Sequence, residues 1–232
     1  MPPEVAVGAI AVVTYPEARE RWCSREHMWF ACGSCKYYVS AENEAPLLDT
    51  PGLRQLLPER IRFITARARE NDTIMIFLSA HGLKDAGGNF YLATKETRVD
   101  DLANTAVSWA DMVNALKGAR SRIVIFLDAC HSGAAGQEVT NNDAMSPVLQ
   151  SNFAVTVFAA SRGREFSLDR VFTPALKKLL TQQRAAIDTN RNGVIELSEL
   201  YSALKRDVVA FTNGRQTPWI ARNDMIGEVP LF

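Results

Sequence analysis

Two long, mostly apolar runs dominate the hydrophobic pattern of this chain. The first covers residues 73–80 and ends at His81, and the second covers residues 123–129 and ends at Cys130. Both are rich in β-branched and aromatic residues and show no polar alternation, which is typical of strands buried on both faces of a parallel sheet. The pattern therefore predicts two central strands with reactive side chains at their carboxyl ends.

Shorter patterns predict the remaining elements. Further strands are predicted over Val5–Val13, Phe90–Ala93 and Phe153–Ala160, and helices over Leu53–Glu70, Trp109–Lys117, Phe172–Ala186 and Leu197–Phe211. Pro58 is expected to interrupt the first helix, and Ser108 is a good N-cap for the second. Because strands and helices alternate, we expect an α/β fold with a mostly parallel sheet flanked by helices. The whole chain, residues 1–232, is predicted to form one domain.

Composition and charge narrow the classes of function. The chain has 26 basic and 26 acidic residues, so its net charge favours neither nucleic acid nor an anionic membrane as a partner. The apolar stretch Val5–Val13 is too short to span a bilayer. Four cysteines, one of them at a strand end, do not resemble a disulfide framework, and a reducing cytoplasm is the expected location.

The strand ends carry the candidate chemistry. If the two strands are neighbours, their carboxyl ends align, and a thiol beside an imidazole forms a nucleophile with its base. His131 follows Cys130 directly and points in a different direction, so His81 is the better base. The backbone N–H groups of Gly82 and Cys130 are the candidate oxyanion donors. A phosphatase loop would need Arg six residues after the cysteine, where Gly136 stands. A buried cysteine that only fills space is the plainer alternative.

A family resemblance rests on these motifs. Ser79-Ala-His-Gly82 and Asp128-Ala-Cys-His-Ser-Gly133, each after an apolar strand, resemble the caspase-like cysteine peptidases, and among them the bacterial metacaspases or orthocaspases. Further segments match downstream: Phe158–Arg162, Glu165–Asp169, Phe172–Leu176 and Gln216–Pro218. The resemblance implies a three-layer sandwich whose motifs lie in residues 72–136, and a cysteine endopeptidase acting on proteins without a cofactor for its chemistry.

The resemblance also implies a substrate preference. Metacaspases accept Arg or Lys in an acidic pocket, and the matching positions here are Asp128 and Ser79. A third is Glu26, in Cys23-Ser-Arg-Glu26, where the family has Cys-x-x-Asp. Carboxylates suit a guanidinium because they accept charge-assisted hydrogen bonds. The alternatives are that Asp128 caps the sheet edge and that Glu26 is a solvated helix residue.

Two segments raise the question of metals. Cys23, His27, Cys32 and Cys35 have spacings compatible with zinc, although the aromatic residues among them suit ordinary packing equally well.

The second segment, residues 188–199 within the helical part 172–211, is named here the Asp188 loop. It fits an EF-hand pattern, with oxygens from Asp188, Asn190, Asn192, the Val194 carbonyl and Glu199 as candidate calcium ligands. Calcium would then be an activator or a structural ion. A simple turn between helices is the alternative, because no second such loop is present.

The number of basic residues in one segment bears on how such an enzyme would be activated. The stretch Ala134–Asn152, which corresponds to the linker that caspases cut on maturation, contains no Lys or Arg. An enzyme that cuts after basic residues therefore cannot process itself there. We expect protein substrates as partners, together with an activating protease or a regulatory protein. An inactive scaffold and a calcium-responsive binding module are the readings that remain open.

Overall fold

The computed structural model describes residues 10–15, 38–39, 52–66, 68, 70, 73–131, 154–162, 165, 167–168, 171–223 and 231. The strands are β1 Ile10–Tyr15, β2 Tyr38–Val39, β3 Thr73–Lys84, β4 Phe90–Leu92, β5 Val107–Ser108, β6 Arg122–His131, β7 Val155–Ala159 and β8 Trp219–Asn223. The helices are α1 Leu53–Thr65, α2 Leu102–Thr105, α3 Trp109–Ala115, α4 Phe172–Gln182, α5 Arg184–Ile187 and α6 Leu197–Phe211.

The described strands form one sheet in the order β2-β1-β3-β6-β7-β8, with β4 paired to β3 and β5 to β4. The three central strands β3, β6 and β7 are parallel, and every other pairing is antiparallel. The α/β class is confirmed, but the sheet is mixed where the sequence predicts a mostly parallel one. The reason lies in the connections: a helical crossover joins β3 to β6, whereas the tight turn at residues 85–89 only allows an antiparallel partner.

Helices cover both faces of the sheet. Successive side chains of a strand point to opposite faces, so each central strand contributes to two cores. Helices α1 and α3 pack on one face, over residues such as Ile76 and Ile125. Helices α4 and α6 pack on the other, over residues such as Met75 and Phe126. This three-layer arrangement explains why the central strands lack polar alternation.

Several predicted boundaries change in the structure. Helix α1 runs without a break through the buried Pro58, so the predicted interruption is wrong. Burial of one apolar face of that helix outweighs the single missing N–H group. Ser108 caps α3 as predicted, accepting the N–H of Asp111 at 3.3 Å. The helix expected over Phe172–Ala186 is divided into α4 and α5, whereas α6 has the predicted bounds. In the described part of the chain no helix is both long and apolar enough to cross a membrane.

Candidate active site

The register of the central ladder brings the candidate residues together. Strands β3 and β6 are parallel neighbours, and His81 lies directly opposite Cys130. Two residues earlier Ser79 lies opposite Asp128. Neighbouring strands are about 4.8 Å apart, so the backbones of His81 and Cys130 are within side-chain reach of each other. A one-residue slip would place their side chains on opposite faces of the sheet.

These residues are on the sheet face that α4 and α6 cover. Met75 of β3 and Val124 of β6 pack on that face. Every second side chain of a strand points to the same face. Counting in steps of two from Met75 and Val124 therefore puts three side chains near the strand ends on this face: Ser79, His81 and Asp128. The apolar sequence of the strands thus continues into a polar patch on this face.

His81 has an unsatisfied nitrogen at this edge. Its Nδ1 atom is buried and has no hydrogen-bond partner among the described residues. Its backbone is fixed, because its carbonyl accepts the N–H of Ala93 at 2.8 Å. An unpaired buried polar atom costs on the order of 1–3 kcal/mol, so most such atoms in folded proteins have partners. Four other buried side-chain atoms among the described residues also lack one, in Arg54, Thr65, Ser121 and Trp219, so it is the position of His81 opposite Cys130 that gives this nitrogen its interest. The nitrogen is available for proton transfer at the carboxyl end of the strand.

Asp128 is buried, with 5% of its surface exposed. The Ser167 hydroxyl donates to its Oδ1 at 3.3 Å. Thr173 donates to Oδ2 twice, from its hydroxyl at 2.5 Å and from its backbone N–H at 3.3 Å. Thr173 lies in the first turn of α4, whose N-cap residue Val171 provides no side-chain bond. The carboxylate therefore caps α4 from the neighbouring sheet and favours its N-terminal dipole.

The remaining predicted residues divide into two groups. Gly82 is buried and lies between two partners, opposite His131 on β6 and opposite Leu92 on β4. Ser79 is partly buried beside Asp128 in the ladder. The other group, Glu26 with the zinc candidates Cys23, His27, Cys32 and Cys35, lies outside the described residues.

Sequence reasoning missed the residues that hold Asp128. Ser167 and Thr173 belong to segments that match the family, and so does Gln216, which contacts Leu168. The matching segments were the available signal. Their roles depend on contacts across 39 and 45 positions of the chain, which no local pattern reveals.

The Asp188 loop is closed by its own hydrogen bonds. Asp188 accepts the N–H groups of Asn192 at 3.0 Å and Gly193 at 2.9 Å. The Asn190 side-chain oxygen also accepts from Asn192 at 3.0 Å, and that of Asn192 accepts from Val194 at 2.8 Å. Every side-chain oxygen that these three predicted ligands offer to calcium is thus bonded to the backbone of the loop.

Glu199 serves the same loop from α6. It is buried and accepts three bonds at Oε1, from the N–H and hydroxyl of Thr189 and the N–H of Asn190. Its Oε2 accepts the N–H of Glu196, which completes a capping box. Burial alone would raise the pKa of Glu199, but these hydrogen bonds outweigh burial and hold the pKa below its ordinary value.

These contacts bear on whether the Asp188 loop can hold a metal ion. Among the described residues no group of three or more His, Cys, Asp or Glu side chains is placed to hold a metal ion. The spacing of the Asp188 loop suits calcium, and calcium binding stays a prediction.

The family model of the caspase domain matches residues 30–230. Among solved structures, the chain is similar to protein GSU0716 from Geobacter sulfurreducens, at 15% identity and a TM-score of 0.47 over 74% of each chain. No curated protein matches the chain. Because the family model spans most of the sequence and includes both strand ends, this chain belongs to the caspase-domain family of cysteine peptidases.

Proposed function

We propose that this protein is a cysteine endopeptidase that cuts protein chains after Arg or Lys, with Cys130 as nucleophile and His81 as base. The observation that carries the proposal is the pairing of His81 with Cys130 across two parallel strands, together with a buried Nδ1 on His81 that has no hydrogen-bond partner in the part of the chain that the structure describes. A structural histidine at this depth would be expected to satisfy that nitrogen. The placement suits a proton carrier beside a thiol.

The proposed reaction has two steps. The Cys130 sulfur bonds to the carbonyl carbon of the scissile peptide, and its proton passes to His81. The C–N bond then breaks, and His81 returns the proton to the leaving amine. Water hydrolyses the resulting thioester and restores the thiol. No cofactor takes part in this chemistry.

The oxyanion donors proposed for this reaction are the N–H groups of Gly82 and Cys130. Both residues lie in the last two register pairs of the β3–β6 ladder. An N–H group used within a ladder cannot also bind the oxyanion, so pairing has to open at this end when substrate arrives.

The proposed pocket for the basic side chain is built around Asp128, with Ser79 beside it and Glu26 as a further candidate. Hydroxyl and N–H donors around Asp128 stabilise its carboxylate form. A buried carboxylate attracts a guanidinium or ammonium strongly, because water does not screen the pair. The pocket role and the helix-capping role of Asp128 are compatible, since a carboxylate has about four acceptor positions.

The partners proposed for the enzyme are protein substrates and either an activating protease or a regulatory protein. The basis is the absence of Lys and Arg from the stretch Ala134–Asn152, which leaves an enzyme of this specificity no site there. Calcium acting through the Asp188 loop is the alternative activator. The proposed location is the cytoplasm, because a reducing compartment keeps the Cys130 thiol free.

A panel of fluorogenic peptides ending in Arg, Lys or Asp, each with and without calcium, tests the proposal. We expect turnover of the Arg and Lys peptides and none of the Asp peptide. The matched control is Cys130→Ala, which should show no turnover under any condition. Cleavage after Asp alone would refute the proposed pocket for basic side chains. A folded protein that cuts none of the peptides, and whose Cys130 does not react with a peptide reagent that labels active cysteine peptidases, would support an inactive scaffold.

A further inference from the structure

Asp128 depends on a segment that has no regular structure of its own. Ser167, which donates to Asp128, lies in the connection between β7 and α4. Neither a helix nor a strand fixes the described residues of this connection. The direction of the Asp128 carboxylate therefore depends on whatever holds Ser167 in place.

The side chain that holds this segment is Gln216. Its Oε1 accepts the N–H of Leu168, the residue after Ser167, at 2.8 Å. Its Nε2 donates to the carbonyl of Ala160, at the end of β7, at 2.9 Å. A backbone N–H can only donate and a carbonyl can only accept, so these two partners fix the orientation of the amide.

Gln216 is itself held firmly. It is fully buried, with 0% of its surface exposed. Its backbone N–H donates to the Thr212 hydroxyl at 3.2 Å, and Thr212 also bonds to the last turn of α6. The carboxylate of Glu165 adds a second tie by accepting the N–H of Thr217 at 2.6 Å. A bonded chain thus leads from α6 through Gln216 to the connection that carries Ser167.

We infer that Gln216 is a positioning residue for substrate selection: it fixes Ser167, which with Thr173 aims the Asp128 carboxylate at the basic side chain of the substrate. This inference rests on the proposed function and adds to it the residues that set the specificity. Gln216 touches neither substrate nor the reacting atoms. Its effect passes through the Leu168 backbone and the Ser167 hydroxyl.

The test compares cleavage of an Arg peptide with the matched citrulline peptide, a neutral isostere. A general loss of structure lowers kcat/KM for both peptides, whereas a misaimed carboxylate lowers only the Arg/citrulline ratio. We expect a wild-type ratio on the order of a hundred or more. Gln216→Met and Ser167→Ala should each reduce the ratio roughly tenfold, mainly through KM. Gln182→Met, on the exposed end of α4, is the matched control and should leave the ratio unchanged.

Thr173 provides an independent arm. Thr173→Val removes the hydroxyl and should lower the ratio, whereas Thr173→Ser keeps the hydroxyl and should retain it. Unchanged ratios in Gln216→Met and Ser167→Ala would overturn the inference. If Gln216→Met does not fold, Gln216→Asn, which keeps the amide on a shorter side chain, is measured by the same criterion. A wild type that cuts neither Arg nor Lys peptides refutes the proposed function instead, and the inference falls with it.

Discussion

The sequence predicts a functional site both at the strand ends and in the Asp188 loop, but the polar groups of the two regions are arranged in opposite ways. At the strand ends His81 presents a buried nitrogen without a partner among the described residues. In the Asp188 loop, Asp188 and Glu199 accept bonds at every carboxylate oxygen from the loop itself or the first turn of α6. The difference lies in which groups already have partners, and a bonded carboxylate still keeps acceptor positions for a cation.

Asp128 lies between these two extremes. Asp128 is buried two residues before Cys130. Like Asp188 and Glu199 in the loop, it accepts hydrogen bonds through both carboxylate oxygens. The charge of Asp128 suits a substrate, and its contacts suit a helix cap. Substitutions separate the two roles, because an Asn at this position keeps one acceptor oxygen for α4 but removes the charge.

The largest expected effect is at the proposed catalytic pair. Cys130→Ala should abolish turnover, because the proposed acyl intermediate forms on the Cys130 sulfur. His81→Ala should lower kcat by about a hundredfold to ten-thousandfold. His131→Ala is the matched control and should retain measurable activity. Circular dichroism of each variant checks the fold, and an active His81→Ala beside an inactive His131→Ala would show that the base is misassigned.

The next effect concerns specificity. Asp128→Asn should lower kcat/KM for Arg peptides by about a thousandfold, because a desolvated guanidinium then has no counter-charge. Its melting temperature should stay near that of the wild type, since the cap on α4 remains. Asp128→Ala should lose both, and Asp100→Ala on the exposed surface should lose neither. If Asp128→Asn cleaved Arg peptides normally, Asp128 would be a helix cap only.

The sequence predicts the strand ends that carry His81 and Cys130 better than it predicts the elements around them. The runs ending at His81 and Cys130 are long and uniform, and a parallel ladder fixes their alignment once they are neighbours. The antiparallel edges were not predicted because β5 and β8 are short or weakly patterned. Pro58 misled the helix prediction because tertiary burial outweighs a local penalty. The contacts of Ser167, Thr173 and Gln216 depend on the fold and have no local signature.

A smaller effect is expected in the Asp188 loop. Glu199→Gln should lower the free energy of unfolding by about 1 kcal/mol, the usual value of a cap, and should leave peptidase activity intact. Glu59→Gln on exposed α1 is the control. Because the folded pKa of Glu199 is lowered, its contribution is complete above the ordinary glutamate pKa and disappears as pH falls through the folded value. Urea titrations between about pH 3 and 7 should show this difference shrinking at the acid end.

The smallest expected effect is that of calcium. If hydrogen bonds alone close the loop, calcium should shift the melting temperature by less than about 1 °C, and equally in wild type and Glu199→Gln. A shift that grows with calcium concentration in the wild type and vanishes in Glu199→Gln would establish the predicted calcium site. That result would remove the contrast between the two regions.

The central claim is that a thiol at position 130, activated by His81, serves a site for basic side chains. Intact-protein and peptide mass spectrometry after labelling with an acyloxymethyl ketone peptide ending in Arg tests it most directly. The account predicts one adduct per chain, located on Cys130, strongly reduced in His81→Ala and absent with the matched Asp reagent. An adduct on Cys23, Cys32 or Cys35 instead, or labelling of Cys130 by the Asp reagent in preference to the Arg reagent, would contradict it.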